Sequence, residues 1–256
     1  MSLGIRVEQA SRHFGGLKAV DDVTFDVQSG SVVGLIGPNG AGKTTLFNLI
    51  SQVLKPTSGA VLFDGQDSAR LSIASCSSLG VARTFQTPRG FPSLSVIQNV
   101  EVMYDDPRGS LVGALLRRRS SQERRDRALN VLETVGLEKL AHDSYGKLSG
   151  GEQRMLEIAR QIARDPKLLL LDEPTAGLDR AHQDRLSELL TVLNRRGVTV
   201  LLVEHNLRFL FENVEQVHVM ALGRLIASGS PAAIANDEAV KTAYLGRTNA
   251  DANISA

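Results

Sequence analysis

The stretch Gly37-Pro38-Asn39-Gly40-Ala41-Gly42-Lys43-Thr44 constrains this chain more than any other, because it fits the pattern G-x-x-x-x-G-K-[ST]. A β-branched run, Val32-Val33-Gly34-Leu35-Ile36, precedes it, and over residues 44–53 the apolar side chains Leu46, Leu49 and Ile50 recur at helical spacing. Strand, glycine turn and helix in that order let consecutive bare amides curl around phosphate oxygens at the positive end of a helix. Lys43 is the candidate for the β- and γ-phosphates, the Thr44 hydroxyl for Mg²⁺, and Thr45 for the α-phosphate.

A second run, Leu168-Leu169-Leu170-Leu171, leads straight into Asp172, Glu173 and Pro174. Strand ends in parallel sheets are where ligands bind. Asp172 is suited to hold Mg²⁺ directly or through water, and Glu173 to polarise an attacking water, the one proton-handling task that phosphoryl transfer leaves to the protein. Alone, the two acids read better as solvated carboxylates before a proline turn; beside the phosphate loop they read as metal ligand and base. The runs at 168–171 and 198–203 bracket a helical stretch at 180–195, and this β-α-β unit predicts a parallel sheet.

Elsewhere residues 4–10 and 23–27 alternate apolar and polar, predicting antiparallel strands punctuated by Gly15, Gly16 and Gly30. Residues 61–63 predict another strand before Asp64-Gly65, and residues 217–222 and 224–228 a hairpin about Gly223. From about 88 to 166 strand-like runs vanish and helical patterns stand at 96–103, 112–118, 122–135 and 150–164, so an inserted helical lobe is expected. The polar, small-residue tail at 246–256 is expected to be disordered, leaving 1–245 as one domain. With 29 basic against 28 acidic side chains, no global field draws nucleic acid or anionic lipid. The lone cysteine, Cys76, cannot form an internal disulfide, and no apolar run approaches the roughly 20 residues of a membrane span. A cytosolic chain, peripheral if it works at a membrane, is the expectation.

Leu148-Ser149-Gly150-Gly151-Glu152 decides the family. Ser149 and Glu152 stand at capping-box spacing ahead of a helix with Met155, Ile158, Ala159 and Ile162 on one face. A cap does not account for two glycines in the first turn, each costing about 1 kcal/mol relative to alanine. Bare backbone at a positive helix end invites an anion. The segment resembles the signature motif of ABC ATPases, and the rest of that family's set follows in order. Gln86 resembles the Q-loop and an Mg²⁺ ligand, Ala176-Gly177-Leu178-Asp179 the D-loop, His205 the switch histidine, and Phe14 the aromatic that stacks on adenine. The resemblance covers roughly residues 4–245. It implies an α/β fold in which a P-loop core with a parallel sheet carries an N-terminal antiparallel β-subdomain and an inserted α-helical subdomain. It further implies ATP and Mg²⁺ as cofactors, and a head-to-tail pair in which each ATP lies between the phosphate loop of one subunit and Ser149, Gly150 and Gly151 of the other. There His205 contacts the γ-phosphate and Asp179 links the two sites. Glu152 departs from the glutamine of many members, a common variant.

Several stretches resemble the branch that takes up branched-chain amino acids and amides: residues 14–20, Ala82-Arg83-Thr84-Phe85-Gln86, the insert with Arg117-Arg118-Arg119, and Ala243-Tyr244-Leu245-Gly246. That branch implies transmembrane permease subunits, a second ATPase subunit, indirectly an extracytoplasmic solute-binding protein, no nucleic acid, and a place on the cytoplasmic face of the membrane. A lipopolysaccharide-export ATPase shares the signature variant and a similar ending, and urea importers use nearly the same subunit. A soluble ABC ATPase acting on nucleic acid or ribosomes is opposed by the single cassette and by an interval between Lys43 and Leu148 too short for coiled-coil arms. The arginines at 117–119, with Arg124, Arg125 and Arg127, read as a solvated helix face. A guanine-reading N-K-x-D motif does not occur.

Overall fold

In this computed structural model the described residues are 2–84, 90–104 and 111–245, with the side chains of 111–121 and of 245 outside the description. Ten strands are found among them: β1 (Ile5–Phe14), β2 (Leu17–Val27), β3 (Val32–Ile36), β4 (Ser58–Phe63), β5 (Gln66–Asp67), β6 (Val81–Arg83), β7 (Leu168–Asp172), β8 (Thr199–Val203), β9 (Gln216–Ala221) and β10 (Arg224–Gly229). The first sheet is antiparallel, in the order β2-β1-β4-β5. Its alternation is the expected one, with Ile5 and Val7 buried and Arg6 and Glu8 exposed. The second sheet has the order β10-β9-β3-β8-β7-β6, parallel throughout except for the antiparallel edge hairpin β9-β10.

Both faces of this larger sheet are covered, which is why its strands read as unbroken apolar runs rather than alternating ones. Leu168, Leu170, Leu201 and Val203 join one core, shared with the antiparallel sheet and α1 (Lys43–Ile50). Leu169, Leu171, Val200 and Leu202 join the other, shared with the helices of the opposite side. The remaining helices are α2 (Ile73–Leu79), α3 (Val96–Glu101), α4 (Leu111–Thr134), α5 (Gly150–Ile162), α6 (Arg180–Arg195), α7 (Leu207–Asn213), α8 (Pro231–Asn236) and α9 (Glu238–Leu245). Helices α3, α4 and α5 fill the interval between β6 and β7.

Three expectations change. The patterns at 112–118 and 122–135 are one continuous helix, α4, because Arg119-Ser120-Ser121 contains neither glycine nor proline to break it. Helix α2 was hidden in a serine-rich stretch, where Ser72 caps it through the Ser75 amide and Gly80 ends it at φ 97. Strand β1 runs on past residue 10 to Phe14 through irregular register, so that β1 and β2 form one long hairpin about Gly15-Gly16. The predicted tail at 246–256 lies outside the described residues. Among those described, no helix is long and apolar enough to cross a membrane.

One buried group sets a pH dependence. His218 on β9 is 2% exposed, accepts or shares a hydrogen bond with Ser228 Oγ at 2.7 Å, faces the Asp26 carbonyl at 3.3 Å and packs on Phe25 at 4.5 Å between centroids. Burial holds its pKa below the ordinary 6.5, with the Asp26 carbonyl opposing that shift. Below pH 6.5 the unfolded chain therefore takes up a proton that the folded one refuses, and stability falls as pH falls. Urea midpoints of the native chain and of His218→Gln, each measured at pH 7.5 and 5.5, are expected to show a smaller acid loss in the variant. An equal loss would assign the effect elsewhere.

Candidate nucleotide site

The turn at residues 37–42 joins the end of β3 to α1, with Gly42 as N-cap at φ 101. Packing alone demands two of its glycines: a Cβ on Gly37 would lie 2.2 Å from the Met220 carbonyl oxygen, and one on Gly42 2.2 Å from that of Ala19. The loop is thus clamped between β9 and β2, its turn closed by the Ala41 amide donating to the Pro38 carbonyl at 3.1 Å. Lys43 is 7% exposed, and its ammonium donates to the carbonyls of Gly37 at 2.6 Å and Pro38 at 3.1 Å. Such a folded-back lysine holds one positive charge at the loop's centre.

A cavity of about 440 Å³ opens over this loop. It gathers Asn39, Gly40, Ala41, Gly42, Lys43, Thr44 and Thr45 from the loop and α1, Glu173 after β7, and His205 after β8. Glu173 Oε1 and His205 Nε2 meet at 2.9 Å. Glu173 adopts φ 48, a conformation that a non-glycine residue seldom takes, and its amide donates to the Val203 carbonyl at 2.9 Å. The expected base and the expected switch histidine therefore stand in contact on the rim of the phosphate-loop cavity.

Asp172, one residue earlier, points elsewhere and is 2% exposed. Burial raises its pKa, partly offset by Arg83, whose guanidinium stands 3.4 Å away and is itself shifted towards neutrality by burial. Arg83 also donates to Asn48 Oδ1 at 2.6 Å and Ser51 Oγ at 2.7 Å on and just after α1. The Asp172 amide donates to Thr84 Oγ1 at 3.1 Å. Gln86, three residues beyond Arg83, lies outside the described residues.

At the start of α5 the capping box is formed in both directions, Ser149 amide to Glu152 Oε2 at 2.7 Å and Glu152 amide to Ser149 Oγ at 3.3 Å. Leu148 is buried, whereas Ser149 and Gly150 are exposed. A Cβ on Gly150 would meet nothing within 4 Å; one on Gly151 would come within 3.3 Å of the His182 ring. That ring is held by Asp179 Oδ1 at 2.8 Å, and Asp179 also caps α6 through the His182 amide at 2.9 Å. These bonds hold the Asp179 carboxyl below its usual range. Packing explains Gly151; Gly150 remains bare backbone facing solvent. Residues 148–152 do not line the cavity over their own phosphate loop, and neither does Phe14, which is 44% exposed with the Arg12 guanidinium 4.9 Å from its ring centre.

Two supporting side chains escaped sequence reasoning. Arg154, 1% exposed on α5, pairs with Glu157 at 2.7 Å and donates to the carbonyls of Asp172 at 2.9 Å and Glu173 at 2.7 Å. Its visible trace is position: it lies four residues before Ile158, on the helix's apolar face, where an arginine is out of place. Glu204, 2% exposed, accepts the amides of Thr175 at 2.8 Å, His205 at 3.1 Å and Asn206 at 3.2 Å, so it fixes the backbone that presents His205. It too was legible as an acid ending an apolar strand.

Comparison with known proteins gives the family. The ABC transporter family matches residues 20–176, and a branched-chain amino acid ATP-binding cassette transporter family matches residues 224–248. The high-affinity branched-chain amino acid transport ATP-binding protein LivG of Escherichia coli (strain K12) is 39% identical, with 91% of this chain and 94% of that protein covered. The lipopolysaccharide export system ATP-binding protein LptB of Haemophilus influenzae is 33% identical, with 94% and 97% covered. A dimeric ATP-binding cassette bound to ADP and Pi in a post-hydrolysis state superposes with a TM-score of 0.77 at 28% identity, covering 89% of this chain and 98% of that one. With a phosphate loop, a carboxylate–histidine pair and a capped double-glycine turn in their expected order, and with these identities over nearly its whole length, the chain is an ATP-hydrolysing cassette of the ABC transporter family.

Proposed function

We propose that this cassette drives a membrane permease importing branched-chain amino acids or related small amides, from the cytoplasmic face of the membrane and in a pair with a second cassette. The likeness of residues 224–248 to the branched-chain amino acid family carries the substrate class. Lys43 exchanges its bonds to the Gly37 and Pro38 carbonyls for phosphate oxygens while backbone amides of the loop and of the start of α1 hold the rest of the triphosphate. Asp172 and the exposed Thr44 hydroxyl suit Mg²⁺, a hard cation bound by one or two carboxylates together with substrate phosphates rather than by a protein cage. Among the described residues no cluster of three His, Cys, Asp or Glu competes with that assignment. Mg²⁺, when bound, neutralises charge on the phosphates. Gln86 is the third ligand by family resemblance.

Glu173 accepts the proton of the attacking water, oriented by His205 at 2.9 Å. Ser149 and Gly150, exposed at the positive end of α5, cap the γ-phosphate held by the other subunit, with Asp179 beside them. Closure then depends on the γ-phosphate touching both subunits and is released by hydrolysis. The permease seats a cytoplasmic segment in the groove of Val53, Ile73, Cys76, Met103 and Arg83, where Val53 and Ile73 expose 46% and 60% of their surface next to the strand leading to Gln86. A solute-binding protein delivers cargo from the far side.

Reconstitution in liposomes with a branched-chain amino acid permease and its solute-binding protein from the same host tests the proposal. Leucine-loaded binding protein is expected to raise ATP turnover. Stimulation by lipopolysaccharide instead, or copurification with ribosomes or DNA rather than membranes, would replace it.

A further inference from the structure

The turn between β9 and β10 contains two residues, Leu222 and Gly223, with φ of 49 and 81. Positive φ at both central positions is the geometry of a type I′ hairpin, for which asparagine or aspartate followed by glycine is the favoured pair. Leucine has no side-chain polar group to ease that conformation. It is also 90% exposed, the most exposed large apolar side chain among the described residues. On both counts the sequence departs from what the turn alone asks for.

The turn is firmly held. The Gly223 amide donates to the Ala41 carbonyl in the phosphate loop at 3.0 Å, the Asp21 amide donates to the Gly223 carbonyl at 2.8 Å, and Arg224 grips the Asp21 carboxylate at 2.6 and 3.0 Å. A Cβ on Gly223 would lie 2.8 Å from the Lys18 carbonyl oxygen. Leu222 is therefore held out over a fixed base. Leu17, 65% exposed beside the β1–β2 turn, lines the same cavity as Leu222, Asn39 to Thr45, Glu173 and His205. Two leucines facing water thus stand at the rim of the phosphate-loop cavity, on two different hairpins. Phe14 lies outside that lining, its ring partnered by Arg12.

We propose that Leu222, with Leu17, holds the purine base of the bound nucleotide by apolar contact with its ring face. Leu222 is then a positioning residue for the base, tied to the phosphate loop through Gly223 and Ala41, so that base and triphosphate are placed by one rigid unit. An aliphatic contact reads the flat ring rather than its polar edge, so ATP and GTP should depend on it alike.

The inference rests on the triphosphate lying on the phosphate loop, and Lys43→Ala tests that separately: it should lose ATP and Mg-tripolyphosphate together. Leu222→Asn places the preferred residue at the first turn position, so its unfolding midpoint should equal or exceed that of the native chain. Its Kd for ATP and for GTP should rise about tenfold, a fraction of what full burial of a leucine contributes, while Mg-tripolyphosphate binding stays unchanged. Leu222→Phe should restore ATP affinity. The proposal is overturned if Leu222→Asn binds ATP natively, if it loses tripolyphosphate as well, or if it spares ATP binding and impairs only pairing or stimulation by the permease. In the last case the leucine covers a protein partner.

Discussion

Replacing Glu173 by glutamine is expected to lower steady-state ATP hydrolysis by roughly 10²- to 10⁴-fold, the usual contribution of a positioned general base. The substitution keeps the size of the side chain and an oxygen for His205 Nε2, now 2.9 Å from Glu173 Oε1, but the amide cannot accept the proton of water. Nucleotide affinity should survive, because the loop amides and Lys43 are untouched. With Mg-ATP the variant should accumulate as a pair on size exclusion, since the γ-phosphate that joins two subunits is no longer removed. A rate close to native would place the base elsewhere. Loss of ATP binding would mean that the strained backbone at Glu173 had shifted the loop.

The largest effect on stability is expected at Arg154. Arg154→Met removes the buried guanidinium that pairs with Glu157, itself 3% exposed, and that donates to the carbonyls of Asp172 and Glu173. Breaking a buried ion pair on one side costs about 3–5 kcal/mol. Set against a typical domain stability of about 5–15 kcal/mol, that loss should show as a large drop in urea midpoint or as insoluble protein. The double variant Arg154→Met, Glu157→Met should regain part of it, because an apolar pair of similar volume can replace a buried ion pair. A loss below about 1 kcal/mol in the single variant would reduce the pair to the worth of an exposed one.

The strand, turn and helix around Lys43 were legible because phosphate binding imposes glycine, lysine and threonine at fixed intervals, and the same intervals set the local backbone. Strand β7 was legible as well, since a leucine run buried on both faces has no polar alternation to confuse it. The continuity of α4 was not, because its residues 111–134 carry many arginines and show no sustained apolar stripe. Arg154 and Glu204 were missed for a different reason. Each stood out as a charge in an apolar setting, but main-chain partners leave no side-chain pattern that shows what such a charge holds. Leu222 could be seen only as part of a hairpin; that the hairpin leans on the phosphate loop is a tertiary fact, carried by the bond from Gly223 to Ala41.

The guanidinium of Arg154 has a consequence for a head-to-tail pair. It fastens the main chain at Asp172 and Glu173 to the helix capped by Ser149, so the two ends of one rigid lever travel together. In the proposed pair those ends serve different ATP molecules, the carboxylates their own and the double-glycine turn the neighbour's. Departure of phosphate on one side would then tug at the opposite catalytic centre through crossed wiring within each subunit, and the two hydrolysis events would not be independent.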